Sequence, residues 1–321
     1  MRPLGLIGIL VIGLTASTVF AQVKGWPTEV KEIQYRSAAD QTDQPALCFQ
    51  PDVTKAAPLL VGLHTWSSNY RQASYGSPYA KWCIEKKWTF IYPNFRGPNR
   101  NPAACGSELV VKDIVSAVEY AKKHSNVDAN RIYLIGASGG GHCALLMAGR
   151  HPEIWAGVSA WVPITDLAAW HAECKKSKRK YWKDIEASCG IPGNSKVDEQ
   201  LRLRSPLTWL HRAKGVSIDI NAGIRDGHSG SVPISHSLRA FNVLAAPSDR
   251  IANDDIRFMT DKAEVPLHLV FRDKDPAYGK KSPLLRSRSG RSRMTIFNGG
   301  HEIIATAGLQ WLSDQRKAES P

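Results

Sequence analysis

The sequence predicts an α/β fold in which a mostly parallel central sheet is flanked by helices on both faces. Two observations carry this. From residue 28 onward, short apolar runs alternate with stretches of helical periodicity, and an alternation of strand and helix builds a parallel sheet. Several runs, such as APLLVGLH (57–64), are apolar almost without interruption, as strands covered on both faces must be.

The elements follow in order. VKEIQYRSA (30–38) and ALCFQP (46–51) read as an opening pair of strands, and APLLVGLH as a buried one. YAKWCIEKKW has helical spacing, TFIYPNF (89–95) is a strand, LVVKDIVSAVEYAKKH (109–124) a helix and RIYLIGAS (131–138) a strand. A helix over about 140–150, the strand GVSAWVPITD (157–166) and a polar, basic insertion come next. SIDINAGIRD (217–226), a helix through PISHSLRAFNVLA, the strands LHLVFR and RMTIF, and a helix in ATAGLQWLSDQR complete the pattern. There is no internal repeat and no proline-rich linker. One domain over 22–321, with 167–205 inserted as a cap or lid, is the simplest organisation.

The first 21 residues, MRPLGLIGILVIGLTASTVFA, join one arginine, an apolar run and small residues at Val19 and Ala21. This pattern predicts a secretory signal cleaved near Ala21, and hence a secreted or periplasmic protein. A membrane anchor is the alternative. The run is short for a span and broken by glycines and Thr15, which speaks against stable membrane insertion.

Export permits disulfides among the six cysteines. No CxxC pair favours a metal or redox motif. Cys174 to Cys189, flanking one basic stretch, is the preferred bridge and Cys83 to Cys105 the next, with Cys143 expected as a buried small apolar residue. The formal charge of +13 is concentrated in CKKSKRKYWK (174–183) and RSRSGRSR (286–293). Solvated loops are the plain reading of both stretches. An acidic polysaccharide or anionic surface is the partner class they otherwise suit. No nucleic acid is expected, because the aromatic-and-basic signatures of nucleic-acid modules are missing.

LIGASGGGHC (134–143) places a serine inside a glycine run after a strand. A phosphate-binding loop would need GxxxxGK and then Ser or Thr, and no lysine follows Gly136. Gly136-Ala137-Ser138-Gly139-Gly140 instead fits GxSxG, a strained strand-to-helix elbow that exposes a nucleophilic serine. Such a serine needs a histidine base and an acid to orient it. Asp226 ends the strand SIDINAGIRD and His301 follows RMTIF in NGGHE, the strand-end positions and chain order that this arrangement requires. Asp166, at the end of VPITD, is the rival acid. Asp226, His228 and Ser229 within RDGHSG form a weaker rival triad, since neighbours on one loop lack an elbow. His142 is expected to be structural.

Preorganised N–H groups must hold the oxyanion that attack creates. Gly139 N–H is one candidate. The other lies after LLVGLH, with Trp66 preferred and Thr65 next; His64 can equally cap the strand end. The chemistry calls for no metal or organic cofactor.

Over about residues 57–315 the chain resembles the catalytic domain of the prolyl oligopeptidase family within the α/β-hydrolase fold. The resemblance lies in PLLVGLHTWSSNYRQ, RIYLIGASGGGHCALLMAGRHPEIWAGVSAWVP, GIRDGHSGSVPISHSLRAFNVLA and IFNGGHE. Five residues, Gly227 to Ser231, separate Asp226 from Val232, more than the family's usual two. The family's peptide-selecting β-propeller has no counterpart in the stretch before PLLVG, so peptidase specificity does not come with the fold. The resemblance implies a serine hydrolase working through an acyl-enzyme, expected to act on carboxylic esters of a polysaccharide or other extracellular polymer. A serine-type peptidase is the alternative, and a non-catalytic binding protein on this scaffold the second. Trp66, Trp161 and above all Trp170 and Trp182 are candidates for stacking on sugar rings.

Overall fold

The structure is a computed structural model that describes residues 22–318. Its centre is one nine-stranded sheet: β1 (Lys31–Arg36), β2 (Asp43–Phe49), β3 (Ala57–Leu63), β4 (Thr89–Pro93), β5 (Val127–Ala137), β6 (Gly157–Trp161), β7 (Ser217–Gly223), β8 (Pro283–Ser289) and β9 (Ser292–Phe297). The order across the sheet is β1-β2-β4-β3-β5-β6-β7-β9-β8. Strands β4 to β9 in that order run parallel, while β1 and β2 at one edge and β8 at the other are antiparallel.

The near-continuous apolar runs have the predicted cause. On β3, Leu59, Val61 and Leu63 enter the core beneath α2 (Glu108–His124), α3 (Gly139–Arg150) and α7 (Ser235–Leu244). Leu60 enters the opposite core, beneath α1 (Ala73–Lys86) and α9 (Ala305–Ser313). Ile132 and Leu134 face the first core and Tyr133 and Ile135 the second. With both faces covered, the period of two survives only as a choice between two apolar environments.

Between β6 and β7 the chain makes α4 (Leu167–Lys176), α5 (Tyr181–Cys189) and α6 (Ser195–Leu203), within the stretch expected as an insertion. They close around Ile185, Leu201, Leu167 and Trp170, an apolar cluster shared with Trp66 and Val232 of the main body. A further helix, α8 (Asn253–Lys262), packs on α7. Among the described residues no helix is long and apolar enough to cross a membrane; the expected signal segment lies outside them.

Two expectations are corrected at the β8 edge. LHLVFR is not a strand: it follows Pro266, makes a single 3-10 turn at Leu267–Leu269, and leaves Leu267 88% exposed. Nor is RSRSGRSR a solvated loop. It is most of the β8–β9 hairpin, with Ser289 paired to Ser292 across Gly290-Arg291 and Gly290 at φ +53°, the left-handed turn such a tight connection needs. The pleat turns Arg293 inward, where its Nε donates to Asp219 Oδ1 at 2.8 Å beneath the sheet. A charge count along the sequence cannot register that pairing.

Candidate active site

Ser138 stands where β5 passes into α3, at φ 56° and ψ −118°. This is a backbone region that residues with a side chain rarely occupy, so the surroundings must hold it. Its N–H donates to Trp161 O at 2.9 Å and its carbonyl accepts from His142 N at 2.8 Å. The glycines are dictated by close approach. A Cβ on Gly136 would lie 2.4 Å from the Gly140 backbone, and one on Gly140 would lie 2.5 Å from Leu63 O.

His301, after β9, donates from Nδ1 to Asp226 Oδ2 at 2.8 Å. The Asp226 side chain is 1% exposed, and its other oxygen accepts from Gly227 N at 3.0 Å and Val232 N at 3.2 Å. The carboxylate accepts from Nδ1, which fixes the imidazole ring and turns Nε2 away from Asp226. The five residues from Gly227 to Ser231 make the turn that brings Val232 N–H back to the carboxylate. Gly230 sits inside this turn: a Cβ there would lie 2.0 Å from Asp226 Oδ1 and 2.6 Å from His301 Cβ. Sequence reasoning passed over Gly230, and only a required small residue between Asp226 and Val232 could have signalled it.

Trp66, in the β3–α1 loop, lies against the elbow: a Cβ on Gly139 would come 2.5 Å from Trp66 N. The backbones of Trp66 and Gly139 are therefore packed against each other at the elbow. Thr65 is not available as an oxyanion donor, because its N–H donates to Gln72 Oε1 at 2.9 Å and Gln72 Nε2 donates to Thr65 Oγ1 at 3.0 Å. Gln72 was a silent position in the sequence. It ties down the loop that carries Trp66.

The rivals are occupied elsewhere. Asp166 N-caps α4, accepting from Ala169 N at 3.0 Å. His228 Nε2 bonds Thr260 O at 2.8 Å on the surface, and Ser229 Oγ donates to Arg225 O. His142 is fully buried with Nε2 on Arg204 O at 2.8 Å, as expected of a structural residue.

The sugar-stacking expectation is corrected for three of four tryptophans. Trp66, Trp161 and Trp170 are at most 2% exposed. Trp170 packs edge-on to Trp66 with 4.8 Å between centroids, and its Nε1 donates to Ser231 O at 2.9 Å. These rings build the site's wall rather than its floor. Trp182 on α5 is half-buried, with the ammonium groups of Lys175 and Lys183 at 5.3 and 5.4 Å from its ring.

The disulfide expectation is also corrected: all six cysteines are free thiols. Cys83 lies in the core under α1 and Cys105 in the cluster under the insertion, on different sides of the molecule. Cys105, Cys174 and Cys189 share the apolar cluster beneath the insertion.

Burial drives two further imidazoles towards the neutral form. His64 stacks on Phe95 with 3.9 Å between ring centroids, and burial lowers its pKa to about 4; burial does the same to His142. Below the ordinary histidine value near 6.5, the unfolded chain takes up protons that these two sites refuse. Stability is thus complete above pH 6.5 and is lost as pH falls towards about 4, by roughly 3 kcal/mol per histidine. Urea unfolding at pH 7.5 and 4.5 checks this, and His142→Gln is expected to flatten the difference. Equal stability at the two pH values would contradict the assignment.

An elbow serine and a carboxylate-held histidine on a mostly parallel sheet define a serine hydrolase of the α/β-hydrolase class. Residues 107–264 match the sequence profile of the Prolyl oligopeptidase family, Peptidase_S9. The match takes in just under half of the chain, and over those residues the chain is similar to that family.

Solved structures share the fold. A puromycin hydrolase is 15% identical with a TM-score of 0.59, over 88% of this chain and 37% of its own. An acylaminoacyl peptidase in complex with Z-Gly-Gly-Phe-chloromethyl ketone is 18% identical with a TM-score of 0.52, over 67% of this chain and 34% of its own. A thermostable esterase is 16% identical with a TM-score of 0.50, over 90% and 64%. The chain thus spans about a third of the length of the two peptide-bond or puromycin hydrolases. No curated protein sequence matches it.

Proposed function

We propose that the protein hydrolyses carboxylic esters on an exported polysaccharide or similar polymer, through an acyl-enzyme on Ser138. His301 Nε2 takes the Ser138 proton as Oγ attacks the acyl carbon, then gives it to the leaving alcohol. Asp226 orients His301 and stabilises the imidazolium. The N–H groups of Gly139 and Trp66 receive the oxyanion, where fixed dipoles contribute most to lowering the barrier. Water then repeats the sequence and frees the acid. The observation that carries the reading is the 2.8 Å bond from His301 Nδ1 to a buried Asp226 whose second oxygen is already held by two backbone donors.

An acidic polymer suits the insertion. Three of its carboxylates are engaged by the protein: Glu173 accepts from His236 Nε2, Glu186 from His171 Nε2 and Asp184 from Trp66 Nε1, while Asp198 and Glu199 on α6 are exposed. Lys175, Lys176, Lys178, Lys180 and Lys183 are exposed around half-buried Trp182. A polymer bearing carboxylates would meet these cations on its way to the site, with Trp182 the remaining platform for a sugar ring.

Parallel assays on acetylated and feruloylated polysaccharides, with and without uronic acids, and on short acylated peptides test the reading. Ester cleavage is expected to exceed peptide cleavage by more than about tenfold in kcat/KM. Raising the salt should weaken KM for the uronate-bearing polymer and leave a small neutral ester unchanged. A preference for peptides supports the serine peptidase reading suggested by the acylaminoacyl peptidase likeness. A folded protein that no fluorophosphonate labels would instead be a binding protein on a hydrolase scaffold.

A further inference from the structure

The arginines of the β8–β9 hairpin take no part in the hydrolytic site. Ser138, Asp226 and His301 follow the C-terminal ends of β5, β7 and β9, whereas the hairpin turn lies at the other end of the sheet, where Ser217 opens β7 and Ser292 opens β9. The chain that leaves α9 returns to the same end, with Lys317 N donating to Asn130 O at 3.2 Å. Ser217, the hairpin turn and residues of the 311–318 segment enclose an open cleft of about 470 Å³. That is within the roughly 300–1,000 Å³ usual for ligand sites. The lengths of β7 and β9 put roughly 20 Å between this cleft and the triad.

The walls of the cleft carry five cations, Arg288, Arg291, Arg293, Arg316 and Lys317, against one carboxylate, Asp314. Neutral oxygens, rather than negative charge, hold the central pair. Arg291 Nε donates to Ser217 Oγ at 3.1 Å and its Nη2 to Arg316 O at 2.6 Å, while Arg316 Nη1 donates to Gln315 O at 2.7 Å and to the Tyr133 hydroxyl at 3.2 Å. Of the five, only Arg293 has a carboxylate partner among the described residues, Asp219. A carbonyl or hydroxyl fixes a guanidinium without cancelling its charge, so Arg291 and Arg316 are preorganised for an anion.

We propose that this cleft is a second, non-catalytic binding site for a uronate-bearing polysaccharide. It deepens the polymer reading given above and rests on that reading for the choice of ligand. Three features of the cleft suit an acidic sugar. Arginine forks match the planar carboxylate of a uronate in both geometry and charge. Half-buried Trp311, with the Arg293 guanidinium 5.4 Å from its ring, supplies an aromatic surface for a sugar ring. Exposed Asp314 repels a ligand that is charged throughout, but accepts hydrogen bonds from sugar hydroxyls. A polymer held here leaves the catalytic end open and raises the local concentration of ester groups around it.

The experiment is a calorimetric titration with unesterified hexagalacturonate at low salt, on the wild type and on Arg288→Gln/Lys317→Gln. Neither side chain makes a hydrogen bond or ion pair among the described residues, so the double variant should melt within roughly 2 °C of the wild type. The expected result is binding by the wild type, a Kd weakened roughly tenfold in the double variant, and no binding of an uncharged hexasaccharide. Hydrolysis of a small neutral ester should be the same in both proteins. A wild type that does not bind, an unchanged Kd in the double variant, equal binding of the uncharged hexasaccharide, or tighter binding of an oligonucleotide of equal charge would each overturn the proposal. Because hexagalacturonate carries no ester, the titration reads the cleft whether or not Ser138 cleaves one, and the ester assays stand or fall separately.

Discussion

Ser138→Ala is expected to lower kcat on a small ester by more than about 10⁴-fold while leaving the fold intact. The serine's place depends on its backbone, through Ser138 N on Trp161 O and the tight glycine contacts of Gly136 and Gly140. Removing one oxygen disturbs none of these. Any remaining rate over the uncatalysed reaction would come from the Trp66 and Gly139 donors and from substrate binding. Covalent labelling by a fluorophosphonate should disappear together with turnover. If labelling survived, the nucleophile would lie elsewhere, and Ser229 would be the first residue to test.

Asp226→Asn should cost about 10³ to 10⁴-fold in kcat, whereas Asp166→Ala should cost less than about tenfold. The amide keeps the size of the carboxylate but offers an NH₂ group where His301 Nδ1 now donates, so the imidazole is turned or locked in the wrong tautomer. Asp166 acts locally as the N-cap of α4. Its removal should appear as a stability loss of about 1 kcal/mol, measurable by urea unfolding. A collapse of activity in Asp166→Ala with near-normal turnover in Asp226→Asn would exchange the two roles.

The fold was legible because the sheet is covered on both sides: β3 and β5 declare themselves as apolar runs, and the amphipathic α2 between them declares the crossover. Legibility failed at the edge. LHLVFR has the composition of a strand, but Pro266 and the exposure of Leu267 make it a surface turn, and the edge position goes to a stretch rich in arginine. An edge strand needs only one partner and tolerates charge, so its hydropathy resembles that of a loop.

The sequence by itself determined the elbow, the order of serine, acid and histidine, and their places at strand ends. Those follow from local rules: a strained turn demands small neighbours, and parallel strands deliver their loops to one end of the sheet. Tertiary structure alone decided which strand-end carboxylate faces His301, since Asp166 and Asp226 look alike until one is seen capping a helix. It also decided that the Thr65 N–H is taken by Gln72 and that Trp170 is buried. Each of these is a contact whose energy depends on position in space, which neither composition nor spacing records.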